Sequence, residues 1–177
     1  MPLIDVIYPE GALAPEAQAR LRDELWSLAL RWEGIENNAL SASIAWVYLD
    51  ERPTRRIGVG GREISQSVYR LNVRVMSGFM DQDRIDGLIA ELTETVLEID
   101  GSQGDGSSPR VFCIVEEIPS GTWGIDGRTW HSTFAAQTLG LDPSRILAMR
   151  EGIASRPRLD VPLIPSEAVG GSQLIDE

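Results

Sequence analysis

Apolar positions in this chain recur with two periods, and the order in which the periods alternate is the main guide to its architecture. Leu3 to Tyr8 is a short apolar run of strand length. Leu21, Leu25, Leu28 and Trp32 then recur at helical spacing, with Pro15 suited to the first turn and Gly34 to the stop. Ile44, Trp46 and Tyr48 alternate with Ala45, Val47 and Leu49, so both faces of this next strand are apolar, the mark of a strand covered on both sides. Val68 to Met76 reads as another strand, and Asp81 as the N-cap of a second helix. Ile85, Leu88, Ile89, Leu92, Val96 and Ile99 form the apolar stripe of that helix. The Gly/Ser-rich stretch 101–108 leads to a last strand from Arg110 to Glu117.

The pattern is a duplication. Glu51-Arg52-Pro53 precedes Gly58-Val59-Gly60-Gly61, and 66 positions later Glu117-Ile118-Pro119 precedes Gly124-Ile125-Asp126-Gly127. Glu10-Gly11 is echoed at Ser77-Gly78, an offset of 67. A strand, a long helix and a returning strand imply a right-handed parallel crossover. Two such β-α-β units, 2–66 and 67–130, predict an α+β domain with a four-stranded sheet and both helices on one face. The other face is then apolar and uncovered, which predicts association with further subunits. Residues 131–177 form a C-terminal extension, with a short helix expected over about 143–150 and a tail containing Pro157, Pro162 and Pro165.

Composition removes much of the usual catalytic repertoire. The net charge is -11, and all 16 basic residues are arginine. Nucleic-acid binding needs clustered cations and is not expected. Without lysine there is no lysine Schiff base. The single histidine, His131, and the single cysteine, Cys113, cannot build a zinc site, so no metal or cofactor is expected. Cys113 lies in an apolar strand and reads as an inert structural thiol. No apolar run reaches a bilayer-spanning length, and Met1 to Asp5 lacks the pattern of a signal peptide. No membrane contact and a cytoplasmic location are the expectations.

The stretch Val111 to Glu117 followed by Trp123-Gly124-Ile125-Asp126-Gly127 resembles the last strand and C-terminal hairpin of 4-oxalocrotonate tautomerases. Pro2-Leu3-Ile4-Asp5-Val6 with Glu10-Gly11 resembles their first strand. The doubled chain is similar to the double-length members of the tautomerase superfamily, among them the cis-3-chloroacrylic acid dehalogenases. The resemblance covers about residues 2 to 130. It implies a homotrimer and a catalytic N-terminal proline, here Pro2 once Met1 is removed. An α-amine titrates nearer neutrality than lysine, and burial lowers its pKa further, which suits a base that takes a proton beside a carbonyl. The implied reaction on a small-molecule substrate is keto–enol tautomerisation. Hydration, dehalogenation, decarboxylation and a non-catalytic binding role are the alternatives.

This sequence departs from the family where cations are concerned. Ala12 stands where many members carry a carboxylate-binding arginine, Trp46 where the short tautomerases carry another, and Ile57 where they carry a hairpin phenylalanine. Met76 and Phe79 replace the paired arginines of dehalogenase-like members. Each lost cation removes a charge-assisted contact to a carboxylate, so the expected pocket is less cationic and more aromatic. The candidate substrate-binding residues are Arg74, Arg110, Tyr69, Trp46, Trp123 and Ile57. Tyr69 enters because it aligns with Pro2 in the doubled pattern. Trp46 and Trp123 are expected to be mostly buried.

Overall fold

The computed structural model describes residues 1–106, 108–142, 144 and 145. The apolar run at the start forms β1 (Leu3–Pro9), and α1 (Pro15–Glu33) returns along the sheet to the short α2 (Ala39–Ser43) and β2 (Trp46–Arg52). Two small strands, β3 (Gly58–Val59) and β4 (Arg62–Glu63), make a hairpin. The second unit repeats the order with β5 (Tyr69–Met76), α3 (Gln82–Asp100), β6 (Val111–Ile118) and the hairpin of β7 (Trp123–Ile125) and β8 (Arg128–Trp130). A final helix, α4, spans Ser132–Thr138.

Local chemistry accounts for these boundaries. Pro15 opens α1 with its φ already helical, and Asp81 caps α3 by accepting from the Arg84 N–H at 3.0 Å. Both long helices end on a left-handed glycine, Gly34 at φ 69° and Gly101 at φ 65°. The hairpins turn through Gly60-Gly61 (φ 59° and 75°) and Asp126-Gly127 (φ 49° and 75°), again 66 positions apart. Asn38 caps α2, an element too short for the periodicity of the sequence to reveal.

The four long strands form one sheet in the order β2-β1-β5-β6. β1 is parallel to β2 and β5 is parallel to β6, while β1 and β5 run antiparallel in the middle. The two units are therefore related by an approximate twofold, and equivalent features lie at opposite ends of the sheet. Alternate residues of the central strands, Ile4, Val6, Leu71, Val73 and Val75, are fully buried against Leu21, Leu25, Leu88 and Leu92 of the helices. Val47, Leu49, Val111, Cys113 and Val115 pack at its margins. Burial raises the pKa of the Cys113 thiol to about 11, as expected of a structural cysteine.

The other face of the sheet has no cover in the single chain. Trp46 is 58% exposed and Phe112 66%, with Tyr48 and Ile114 exposed beside them. The expected burial of Trp46 is therefore not met within one chain. The strand pattern placed its side chain on the face that the two helices do not reach. A second apolar cluster gathers Met1, Leu30, Met76, Phe79, Ala135 and Leu139 at the end of the sheet where β1 begins. The helix and tail expected at 143–150 and beyond lie outside the described residues, apart from Ser144 and Arg145.

Candidate functional site

Pro2 sits at the head of β1, flanked by both neighbouring strands. Leu3 pairs in register with Trp46 on β2 and with Arg74 on β5. The carbonyl of Pro2 accepts from the Trp46 N–H at 3.2 Å. A cavity of about 630 Å³ opens there, its wall formed by Pro2, Ile44, Trp46, Arg74, Trp123 and Asp126 among others. Three of the predicted residues, Trp46, Arg74 and Trp123, thus gather around Pro2. A volume of this order suits a small organic ligand.

The cation in this cavity is already engaged. Arg74 donates from Nη1 to Asp5 at 2.6 Å and from Nε to Glu116 at 3.2 Å. The bond to Asp5 is the main reason its pKa is raised above that of an ordinary arginine. Trp46 stands edge-on to Tyr48, ring centres 6.3 Å apart. The site therefore offers aromatic surface and one arginine held between two carboxylates.

The remaining predicted residues lie at the opposite end of the sheet within the chain. Tyr69 is buried, stacks on Tyr8 at 6.1 Å and donates its hydroxyl to Asp100 at 2.7 Å. Arg110 is ion-paired with Asp100 and donates to the carbonyls of Ser102 (2.9 Å) and Ser67 (3.1 Å). Burial opposes ionisation of Asp100, but hydrogen bonds from Ser102, Tyr69 and Arg110 outweigh it and hold the carboxyl below its usual range. Ile57 follows a single helical turn at Thr54–Arg56 and is half-buried at that same end. His131 is exposed and precedes α4.

One group at the Pro2 end was not anticipated. Glu33, the last residue of α1, is fully buried, and one carboxylate oxygen is ion-paired with the ammonium of Met1, itself fully buried. The other oxygen, Oε1, has no hydrogen-bond partner among the described residues. Burial drives the Glu33 carboxyl up and the terminal amine down. The sequence did hold a signal, since Glu33-Gly34 and Asp100-Gly101 are themselves 67 positions apart. Among the described residues no cluster of His, Cys, Asp and Glu gathers to hold a metal ion, and no helix is long and apolar enough to cross a membrane.

No family model and no curated protein matches this sequence. Solved structures do. The wild-type asymmetric trimer of a fused 4-OT, F6, superposes with a TM-score of 0.59 at 24% identity, covering 77% of this chain and 98% of that one. N1, a member of the cis-3-chloroacrylic acid dehalogenase family, gives 0.63 at 16% identity over 84% and 98%. The macrophage migration inhibitory factor-like protein of Entamoeba histolytica gives 0.56 at 15% identity over 73% and 98%. The chain has the tautomerase-superfamily fold, in its doubled β-α-β form.

Proposed function

We propose that this protein is a tautomerase-superfamily enzyme in which Met1 is removed and the secondary amine of Pro2 moves protons on a carbonyl or unsaturated substrate. Keto–enol tautomerisation is the first reaction to assay. The observation that carries this reading is the position of Pro2 at the head of β1, in the wall of an aromatic cavity of about 630 Å³. An amine there is partly desolvated, and a base near neutrality is what abstraction beside a carbonyl needs. With Arg74 paired to Asp5 and Glu116, the cavity favours a substrate recognised by an aromatic body over a small dicarboxylate. A phenylpyruvate-like keto–enol compound is the test substrate.

The same reading makes the molecule a homotrimer. Trp46, Tyr48, Phe112 and Ile114 leave an exposed apolar surface at both edges of the open sheet face, more than a lone soluble chain tolerates without a partner. Between them, the side-chain oxygen of Asn72 is buried and has no hydrogen-bond partner among the described residues. A neighbouring sheet would cover both.

A second reading has its own observation. The Met1 ammonium is buried in an ion pair with Glu33, and a chain that keeps Met1 has an amide at Pro2 in place of a base. Such a chain is a non-catalytic homologue. The intact mass of untagged protein separates the two, and activity with the phenylpyruvate-like substrate tests the first. A mass without Met1 together with turnover supports the enzyme. A mass with Met1 and no turnover refutes it.

A further inference from the structure

The two halves of the chain treat the C-terminal ends of their long helices alike. α1 ends on Glu33 and α3 on Asp100, 67 positions apart, and each is followed by a left-handed glycine. Each carboxylate is buried at one end of the sheet, and each holds a cation. Asp100 holds Arg110, the residue just before β6. In the first half the residues just before β2 are Ser43, Ile44 and Ala45, none of them a cation. The cation that takes this place is the terminal ammonium of the chain.

We propose that Glu33 is a positioning residue of the Pro2 site: it seats the terminal amine of the chain, that of Met1 before processing and that of Pro2 afterwards, and fixes the charge which the Pro2 amine carries. This rests on the proline reading above. A buried carboxylate stripped of its partner is costly. Removing Met1 strips Glu33 in this way and also vacates the space that the methionine side chain fills. Ile44, Trp123 and Ile125 pack against the apolar cluster that contains Met1 and also line the Pro2 cavity. The amine left next along the strand is that of Pro2.

The other charges near the pair do not take its place. Arg145 bonds the backbone carbonyls of Glu33 and Phe79 and acts on the carboxylate only through its field. From the start of α3, Asp81 and Arg84 act on Arg145 with opposite signs. Burial opposes the charge on each member of the Met1–Glu33 pair while the charge of the other supports it, so neither holds its charge alone. A paired acid and base at the edge of an aromatic cavity is an arrangement that a 1,3-proton shift can use, with Pro2 as the group that meets the substrate.

The absence of lysine makes the test direct, because the α-amine is the only amine of the chain. Met1-free protein is prepared by co-expression with a methionine aminopeptidase and confirmed by intact mass. It is then acetylated with the N-hydroxysuccinimide ester of acetic acid across a pH series, and the adduct is read by mass. Acetylation follows the neutral amine, so its midpoint reports the charge equilibrium whether or not a substrate is known. Glu33→Gln keeps the shape and removes the charge, and should move the midpoint down by about one to two pH units. Glu33→Asp, which withdraws the carboxylate without removing it, should move it less, and the acid limb of kcat/KM should follow in both. An unchanged midpoint in both variants overturns the proposal, and continued turnover by the wild type would leave the Pro2 reading intact. A chain that still carries Met1 after aminopeptidase treatment overturns both.

Discussion

The two ends of the sheet carry equivalent elements and differ in the group that holds the buried carboxylate. At the end where β5 and β6 begin, Tyr69, Asp100 and Arg110 form a closed cluster of a ring, a carboxylate and a guanidinium that bond one another, beside a cavity of about 450 Å³ that none of the three lines. At the end where β1 and β2 begin, the equivalent places carry Pro2, Glu33 and residues without charge, and a cavity remains. Both ends keep a buried carboxylate at a helix terminus. Its partner differs, a side chain fixed in the fold at one end and the amine of Met1 at the other. On the proposed reading, the carboxylate serves stability at one pole and positions the amine of Pro2 at the other.

The largest effect that would test this contrast belongs to the closed end. Asp100→Ala leaves the Tyr69 hydroxyl without its acceptor and the Arg110 guanidinium with backbone carbonyls but no counter-charge, and should cost about 3–5 kcal/mol of stability in urea unfolding. Activity per folded molecule should be unchanged. A stable Asp100→Ala protein that had lost turnover would erase the distinction between the two ends.

The open sheet face gives a test of the symmetry itself. Trp46 and Phe112 are 66 positions apart and are both exposed on the uncovered face at its two edges. Trp46→Asp and Phe112→Asp should each weaken assembly by about 2 kcal/mol or more, the scale of an interface anchor. Light scattering over a dilution series should show smaller species for both. A wild-type chain that is monomeric at micromolar concentration would remove the trimer from the reading.

At the open end, Pro2→Ala replaces the secondary amine with a primary one of altered basicity and geometry. It should lower kcat/KM by about 10- to 100-fold, the contribution of a positioned general base, with little change in unfolding free energy. Full activity in this variant, in a chain shown by mass to lack Met1, would refute the amine mechanism.

The smallest effect is the pH dependence of the closed end. The carboxyl of Asp100 titrates lower in the folded protein than in the unfolded chain, whose reference value is 3.8. Its contribution to stability is therefore complete above that value and is lost as pH falls through the lower folded value. Thermal unfolding should show a decline below about pH 4 that is shallower in Asp100→Asn. An identical acid limb in the two proteins would mean that other carboxylates govern it.

Much of this was legible without coordinates, because it depends on periodicity and on local backbone requirements. The alternation at Ile44 to Leu49, the helical stripe from Ile85 to Ile99 and the glycine pairs at 60–61 and 124–127 are local signals. They gave the elements, the duplication and the sheet with helices on one face. Of the candidate substrate-binding residues, Trp46, Arg74 and Trp123 line the cavity at Pro2. Tyr69 and Arg110 lie at the far end of the same chain. Alignment of the repeats relates Tyr69 to Pro2, but it is silent on the antiparallel β1–β5 contact that carries equivalents to opposite poles.

The sequence by itself determined which faces are apolar, where helices stop and that no lysine competes with the terminal amine. Those are properties of residue identity and spacing, and no distant contact alters them. Only the tertiary structure decided which charges meet. Glu33 finds the Met1 ammonium across 32 positions, and Arg74 is neutralised by Asp5 and Glu116, 69 and 42 positions away. Such pairs form because burial makes an unpartnered charge costly, and which groups are buried together is fixed only when the strands take their order.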